Sequence, residues 1–353
     1  MTSPLGYDPR TRRLPLLWVA LTAALLLAVV VSSGTGQFTI TPGGVLEGLW
    51  RGLAGIPAPD AATRTADAAL WTIRLPRVAM ALLVGASLAV GGALMQGVFG
   101  NPLAEPGIVG VSAGAAACAS VIIATGLSVL GDWTLVCGAF LGGLAATLVA
   151  YVTARQNGRT EVVTLVLTGI AVNAVAGSII ALMTFAASRA AREQIVFWQL
   201  GSLNGSRWSH VLTILPLAII CLVLSFLTAR RLDLLSLGER GARHLGVNVE
   251  RLRLRVILLV AVLTSAAVAF TGIIAFVGLV VPHVIRMLIG PGHRYLLPAS
   301  MLAGAVLLLV ADTLARTVVP YADLPIGLLT SLVGGPFFFY LIRRTRDRAG
   351  GWS

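Results

Sequence analysis

Residues 74–114 read R-L-P-R-V-A-M-A-L-L-V-G-A-S-L-A-V-G-G-A-L-M-Q-G-V-F-G-N-P-L-A-E-P-G-I-V-G-V-S-A-G. Two arginines lead into roughly 20 apolar residues, enough to cross a bilayer core as one helix. Within that run Gly85, Ala89, Ala93 and Gly97 recur at every fourth position, which places them on one helical face. A face this smooth lets another helix approach backbone to backbone. The run stops at Asn101-Pro102, and Glu105-Pro106 breaks the chain again. Each proline removes an amide donor and steers the residue before it out of the helical region. Irregular backbone at membrane depth survives only where protein buries it or water reaches it. The stretch therefore predicts an internal membrane helix that ends in a non-helical turn.

Composition extends this reading to the whole chain. Of 353 residues, 57% are apolar and 11% charged, outside the range of soluble globular domains. The expected fold class is all-α, a polytopic membrane protein with about ten transmembrane helices, in one domain over residues 1–353. All 26 basic residues are arginine. A Walker A loop needs a lysine to reach the nucleotide phosphates, so the chain cannot supply an ordinary ATPase site and is not expected to be an enzyme or to bind a cofactor itself. The net charge of +12 could point to nucleic acid. The arginines fall instead in short clusters between apolar runs, as topology signals and lipid headgroup contacts, and no nucleic-acid partner is expected.

Outward from the opening stretch, apolar runs are expected as spans at 14–31, 75–99, 108–125, 133–154, 164–186, 210–229, 256–270, 273–289, 296–316 and 325–342. The run at 14–31 follows Arg10, Arg12 and Arg13 and is longer than a signal-peptide core, so it is kept as the first span. Residues 32–71 form an outer loop with one short helix near 45–53. Arginines favour the assigned inner loops by roughly two to one, which puts both termini inside. Proline-containing turns after glycine-rich spans occur around Asn101 and again around Pro282 and Pro298. The two would be inverted copies, a common transporter plan.

Residues 236–253, S-L-G-E-R-G-A-R-H-L-G-V-N-V-E-R-L-R, lie in the most basic tract. Ser236 and Glu239 have the spacing of a capping box, Gly246 is a helix stop, and Asn248 can cap a second short helix. Leu237, Ala242 and Leu245 fall on or near one face, so the tract either lies on anionic lipid or presents a helix to a partner. Arg74, Arg77 and Arg316 are predicted at outer ends of spans, where they either snorkel to headgroups or meet an acidic partner. Cys118, Cys137 and Cys221 lie in apolar spans without paired spacing and read as core residues. The histidines His210, His244, His283 and His293 have no ligand-like spacing, so no metal site is expected.

The order R-L-P-R, G-A-x-L-A-x-x-G-x-x-M-Q, N-P-L-A-x-P-x-x-x-G-x-x-x-G-A, followed late in the chain by D-L-P-I-G-L-L-T-S-L-V-G-G-P-F-F, resembles the permease subunits of FecCD-type ABC importers for iron-siderophore complexes, haem and cobalamin. Asp323 stands where the family commonly has glutamate, and Gly335 where it has alanine. The resemblance implies the cobalamin-importer permease fold, a second permease copy, two cytoplasmic ABC ATPase subunits that hold ATP and Mg, an extracellular or periplasmic substrate-binding protein, and a bacterial cytoplasmic membrane location. It implies that Arg74, Arg77 and Arg316 receive carboxylates of the binding protein. Ser236, Leu237, Gly238, Glu239, Ala242, Arg243, Leu245 and Gly246 would form the coupling helices, within about 234–252, that enter a groove of the ATPase. Asn101, Pro102 and Leu103 would close the cavity on the cytoplasmic side against a turn that maps near Val162 and Val163, where some relatives carry hydroxyl residues. Gln96 either faces that cavity or bonds a neighbouring helix. Ferric siderophore ranks first as cargo, with haem or cobalamin as alternatives. A secondary transporter driven by an ion gradient is the reading from a different class. It would carry membrane-embedded carboxylates, whereas these fall almost entirely in loops or at span ends.

Overall fold

The computed structural model describes residues 13–36, 38–156, 158–319 and 322–348. Arg10 and Arg12, expected to orient the first span, lie outside the described residues. The chain runs α1 (Arg13–Gly34), α2 (Pro42–Ala54), α3 (Ala61–Ala69), a π-helical turn (Leu70–Arg74), α4 (Leu75–Phe99), a 3-10 turn (Pro106–Val109), α5 (Val111–Thr125) and α6 (Trp133–Ala154). A two-stranded hairpin, β1 (Arg155–Gln156) and β2 (Arg159–Thr160), leads into α7 (Val162–Ala186), α8 (Arg189–Leu200) and α9 (Trp208–Leu235). Then follow α10 (Glu239–His244), α11 (Val249–Thr271), α12 (Val277–Ile289), α13 (His293–Ala315) and α14 (Ile326–Arg348). Among the described residues seven helices are long and apolar enough to cross a membrane, α3 and α4 counting as one continuous helix. The shorter apolar helices α5, α12 and the Ile326–Tyr340 part of α14 fill the remaining positions of the expected ten.

Helix α4 is the axis of the bundle. It is buried along most of its length and packs against α13, α11, α12 and α9. The fourfold spacing of small residues works as the sequence predicts, with α13 as the partner. A Cβ on Gly85 would lie 2.3 Å from the carbonyl oxygen of Gly304. One on Gly304 would lie 2.4 Å from the oxygen of Gly85 and 2.5 Å from the Cβ of Ala89. At the far end of the same face, a Cβ on Gly97 would enter the His293 ring, 2.4 Å from Nε2. Gly92 faces a different neighbour: its Cβ would fall 1.7 Å from the oxygen of Gly278 in α12.

The boundaries differ from expectation where the backbone has to bend. The span expected at 108–125 begins as a 3-10 turn, because Pro106 starts it and Gly110, at φ 85°, redirects the chain before α5. The span expected at 273–289 starts at Val277. Residues 272–276 stay non-helical where they thread between the end of α8 and the start of α14. Cβ atoms on Gly272, Gly201 and Gly327 would all collide with backbone carbonyls there, at 2.0, 2.3 and 2.4 Å respectively. Phe276 takes a left-handed φ of 68° in this segment and packs on Gly334.

The expected short helix at 45–53 is present as α2, its start capped by Thr41 Oγ1 accepting from Gly44 N at 3.2 Å. It is tied to α3 by Arg51, which donates to both carboxylate oxygens of Asp67 at 2.9 Å.

Gly92→Ala tests the central packing. The added methyl meets backbone, which cannot rotate away, so we expect a loss of about 1–3 kcal/mol, read as a lower melting temperature of the purified protein in detergent. A melting temperature equal to wild type would contradict the contact.

Candidate functional site

The residues singled out by the sequence gather at the two ends of the bundle. At one end, α4 stops at Gly100, whose φ is 60°, and the chain turns through Asn101. Asn101 Oδ1 accepts from Leu103 N at 2.9 Å and its carbonyl accepts from Ala104 N at 3.1 Å, which fixes the turn without helix. Asn101, Pro102 and Leu103 are exposed. Beyond them Glu105 is half-buried with no basic partner among the described residues, and burial holds its carboxyl above the usual range.

Gln96 is buried just inside this turn. Its Nε2 donates to the Leu279 carbonyl at 3.1 Å and its Oε1 accepts from Arg286 Nη1 at 2.8 Å. The bond to a neighbouring helix, one of the two roles the sequence allows, is made, and Gln96 also lines a cleft. A cleft of about 450 Å³ brings Gln96 and Pro102 together with Val162, Ser236, Gly238 and Glu239. Asn101, Leu103 and Val163 stand outside it, Val163 lining a neighbouring cleft of about 780 Å³ with the β1–β2 hairpin.

Helix α10 is shorter and anchored differently from the expected pair of capped helices. Gly238, at φ 95°, is its N-cap residue and no side chain caps it. Ser236 remains part of the last turn of α9 and its Oγ donates to the Asp233 carbonyl at 2.7 Å, so the capping box does not form. Asn248 does cap a helix, accepting from Arg251 N at 3.0 Å, but that helix is the span α11 itself. Gly246 supplies the expected stop at φ 81°. Ala242 is fully buried against α9 and α11, while Leu237 and Leu245 are 68% and 58% exposed. The three do not share one face: the alanine anchors α10 and the leucines project.

What fixes α10 to the rest of the protein is Arg253, which the sequence reading left within a basic tract. Its guanidinium pairs with Glu239 at the start of α10 and with Glu250 at 3.2 Å, and donates to the Thr160 carbonyl at 3.1 Å. Glu250 completes the loop by accepting from Thr160 N at 2.9 Å. Arg243 adds an outer contact to Glu239 at 3.2 Å. One buried arginine thus joins α10, the start of α11 and strand β2, the residue pair before α7. The signal in the sequence was its register. Arg253 shares a helical face with Val249, Val256, Ile257 and Val260, all buried, whereas Arg251 and Arg255 point away.

Nearby, Asp233 of α9 accepts from the His293 backbone at 2.7 Å and contacts its Nδ1 at 2.8 Å, closing the start of α13. His210 lies between Trp133 and Phe270, with ring centroids at 5.7 and 5.4 Å. The three cysteines are free thiols, Cys221 buried and the others half-buried. Among the described residues no group of three or more His, Cys, Asp or Glu is placed to hold a metal ion.

At the opposite end, Arg74, Arg77 and Arg316 are directed into the protein rather than outward. The π-helical turn before α4 carries Arg74 to the end of α1, where it donates to the carbonyls of Ser33 at 2.7 Å, Gly34 at 2.9 Å and Phe38. Arg316 reaches the same end, donating to the Ser32 carbonyl at 2.9 Å and the Thr35 carbonyl at 3.0 Å. Together they satisfy carbonyls that the last turn of a helix leaves without partners. Arg77 donates to Asp312 at 2.9 Å and Asp323 at 2.8 Å, and Arg316 lies 3.3 Å from the other oxygen of Asp312. All three arginines were expected to meet carboxylates of another protein; the structure gives Arg77 and Arg316 carboxylates of their own chain.

Asp312 is fully buried between two arginines. Asp312→Ala leaves both short of their partner, and we expect about 3–5 kcal/mol of destabilisation, measured by thermal unfolding in detergent. Stability equal to wild type would show the cluster to be dispensable.

The model of the FecCD transport family matches residues 24–344. The chain is 44% identical over 331 residues to the hemin transport system permease protein HmuU of Yersinia pestis, covering 93% of this chain and 96% of that one. It is 39% identical over 354 residues to the cobalamin import system permease protein BtuC of Halobacterium salinarum, covering 99% and 93%, and 40% identical over 278 residues to the Fe(3+)-citrate import system permease protein YfmD of Bacillus subtilis, covering 78% and 81%. A solved inward-facing structure assigned to the metal-chelate type of ABC transporter superposes with a TM-score of 0.82 at 32% identity, covering 94% of this chain and 99% of that one. A membrane bundle with this axis helix, this broken turn and this family match over nearly its full length is a permease of an ABC importer, and the chain belongs to the FecCD transport family.

Proposed function

We propose that this permease carries an iron chelate inward across the cytoplasmic membrane, powered by a separate ATPase that grips α10. The exposure of Leu237 and Leu245 supports the grip. Two large apolar side chains project from the turns at either end of a short helix that is fixed to the bundle through Ala242 and Arg253. Among the described residues nothing covers those leucines, and a partner groove would. In this reading two permease copies enclose the pathway, ATP and Mg belong to the two ATPase subunits, both termini face the cytoplasm, and an outside binding protein delivers cargo. The binding protein docks on the rim that Arg74, Arg77 and Arg316 organise, reaching their guanidiniums by exchanging the internal contacts described above.

The mechanism follows from the Arg253 link. When the ATPase moves α10, Glu239 moves with it, Arg253 carries the displacement to Thr160, and the hairpin carries it to the first turn of α7, where Val162 and Val163 stand. The gate made by that turn and Asn101–Pro102–Leu103 opens or closes as a consequence. A valine pair makes it apolar on the α7 side, so it would close by excluding water. As cargo, the identity to the haemin permease over nearly the full length of both chains favours haem over the ferric siderophore ranked first from sequence. Cobalamin remains the third candidate on the BtuC relative.

The test is reconstitution in vesicles with the cognate ATPase and binding protein. Uptake of haem, competed by neither ferric siderophore nor cobalamin, should require ATP. Leu237→Asp with Leu245→Asp should lower uptake tenfold or more, as loss of an interface anchor does, while the melting temperature of the permease stays at the wild-type value because both side chains are exposed. Uptake driven by a proton gradient without the ATPase would overturn the reading.

A further inference from the structure

The Arg253 link and Arg243 use up the carboxylates of this tract and leave three of its other arginines without acidic partners. Glu239 is held by Arg253 and Arg243, Glu250 by Arg253 and Thr160, and Asp233 by His293. Arg231 at the end of α9 and Arg251 and Arg255 at the start of α11 have no acidic partner among the described residues. They do not splay apart. Together with Gly246, Asn248 and Leu252 they line one concave site of about 130 Å³ between the two helices. Three like charges converging on one small space repel one another unless an anion joins them. The site also lies at the first turn of α11, whose amide groups add positive potential.

The size suits a single tetrahedral oxyanion, and the surroundings say where that group comes from. Along α9, Ile220, Leu224 and Leu227 precede Arg231 at helical spacing, and all three are exposed, Leu227 by 70%. Along α11, Arg251 and Arg255 are followed on the same face by the exposed Leu258. An apolar, outward-facing stripe on α9, with Leu258 added by α11, thus runs up to the arginines. An acyl chain lies naturally on such a stripe, with its headgroup at the charged end. A soluble phosphate would need the arginines but not the stripe.

We propose that this site binds the phosphate group of an anionic membrane lipid, held by Arg231, Arg251 and Arg255. The lipid phosphate would sit between the end of α9 and the start of α11, next to Gly246 in the turn that follows α10. The proposal does not depend on the cargo or on the ATPase.

The test titrates the full-length, delipidated chain in detergent with dioleoyl-phosphatidylglycerol, dioleoyl-phosphatidylcholine or inorganic phosphate, counting bound molecules by native mass spectrometry. At about fivefold per arginine near a membrane surface, Arg231→Gln should weaken phosphatidylglycerol binding about fivefold and the double variant Arg251→Gln, Arg255→Gln about 25-fold. All three side chains are exposed, so folding should persist, checked by the melting temperature. Removing the same charge elsewhere, by Arg189→Gln with Arg192→Gln on α8, should leave binding unchanged. Phosphatidylglycerol binding that is indifferent to the three arginines would overturn the site. Inorganic phosphate binding that depends on them, with phosphatidylglycerol no tighter than phosphatidylcholine, would overturn the lipid as its source.

Discussion

The rest of the structure depends on how closely α13 and α12 approach α4. In a membrane, lipid tails are as apolar as side chains, so burial alone does not hold helices together. Close contact does, through many weak dispersion contacts and interhelical polar bonds. Gly85 and Gly304 meet carbonyl against Cα, Gly92 meets Gly278 in the same way, and Gly97 makes room for the His293 ring. These contacts fix α12 and α13 against the central helix along its whole length. They thereby fix what hangs from its ends: the broken turn after Gly100 and the arginine cluster at the start. The same device recurs one layer out, where Gly114 of α5 and Gly142 of α6 meet backbone to backbone.

Charge gathers towards the two ends, and at several places there the geometry calls for arginine. A guanidinium offers a planar fork of five donors, so one side chain can satisfy several acceptors while staying charged. Arg74 bridges three carbonyls around the end of α1. Arg77 binds two carboxylates and Arg253 joins three backbone segments. A lysine in any of these places would leave acceptors unmet in a poorly hydrated site. The arginines at one end lock the rim of α1, α4 and α13; the arginine at the other end links elements that are separate in sequence.

Much of this was legible beforehand. Composition gave the membrane class, and the Gly85–Gly97 spacing gave a close-packing face whose partner proved to be α13. The prolines gave the breaks after α4. The short outer helix, the stop at Gly246 and the Gln96 bond to a neighbour were also readable, the last as one of two options. What the sequence concealed were pairings between distant segments. Nothing local distinguishes Arg77 beside Asp312 from an arginine free to meet another protein, because the two residues are 235 positions apart. Ser236 and Glu239 have capping-box spacing, yet Ser236 is the C-cap residue of α9 and Arg253 takes Glu239. Helix α11 extends seven residues ahead of its expected start at 256, since arginines with buried partners or a free surface do not end a helix.

The mechanical proposal is that α10, Arg253 and the β1–β2 hairpin move as one piece, and that the proposed gate between the 101–103 turn and α7 answers to that piece. Distance measurement by paired spin labels tests this most directly, in the permease assembled with its ATPase, with and without bound ATP. One pair sits on Leu245 and Gln156, across the Arg253 link, and the other on Leu103 and Val163, across the gate. The account predicts that the first distance stays constant between the two states while the second changes. A first distance that shifts as the gate moves would mean that the elbow and the hairpin are not coupled, and would contradict the account.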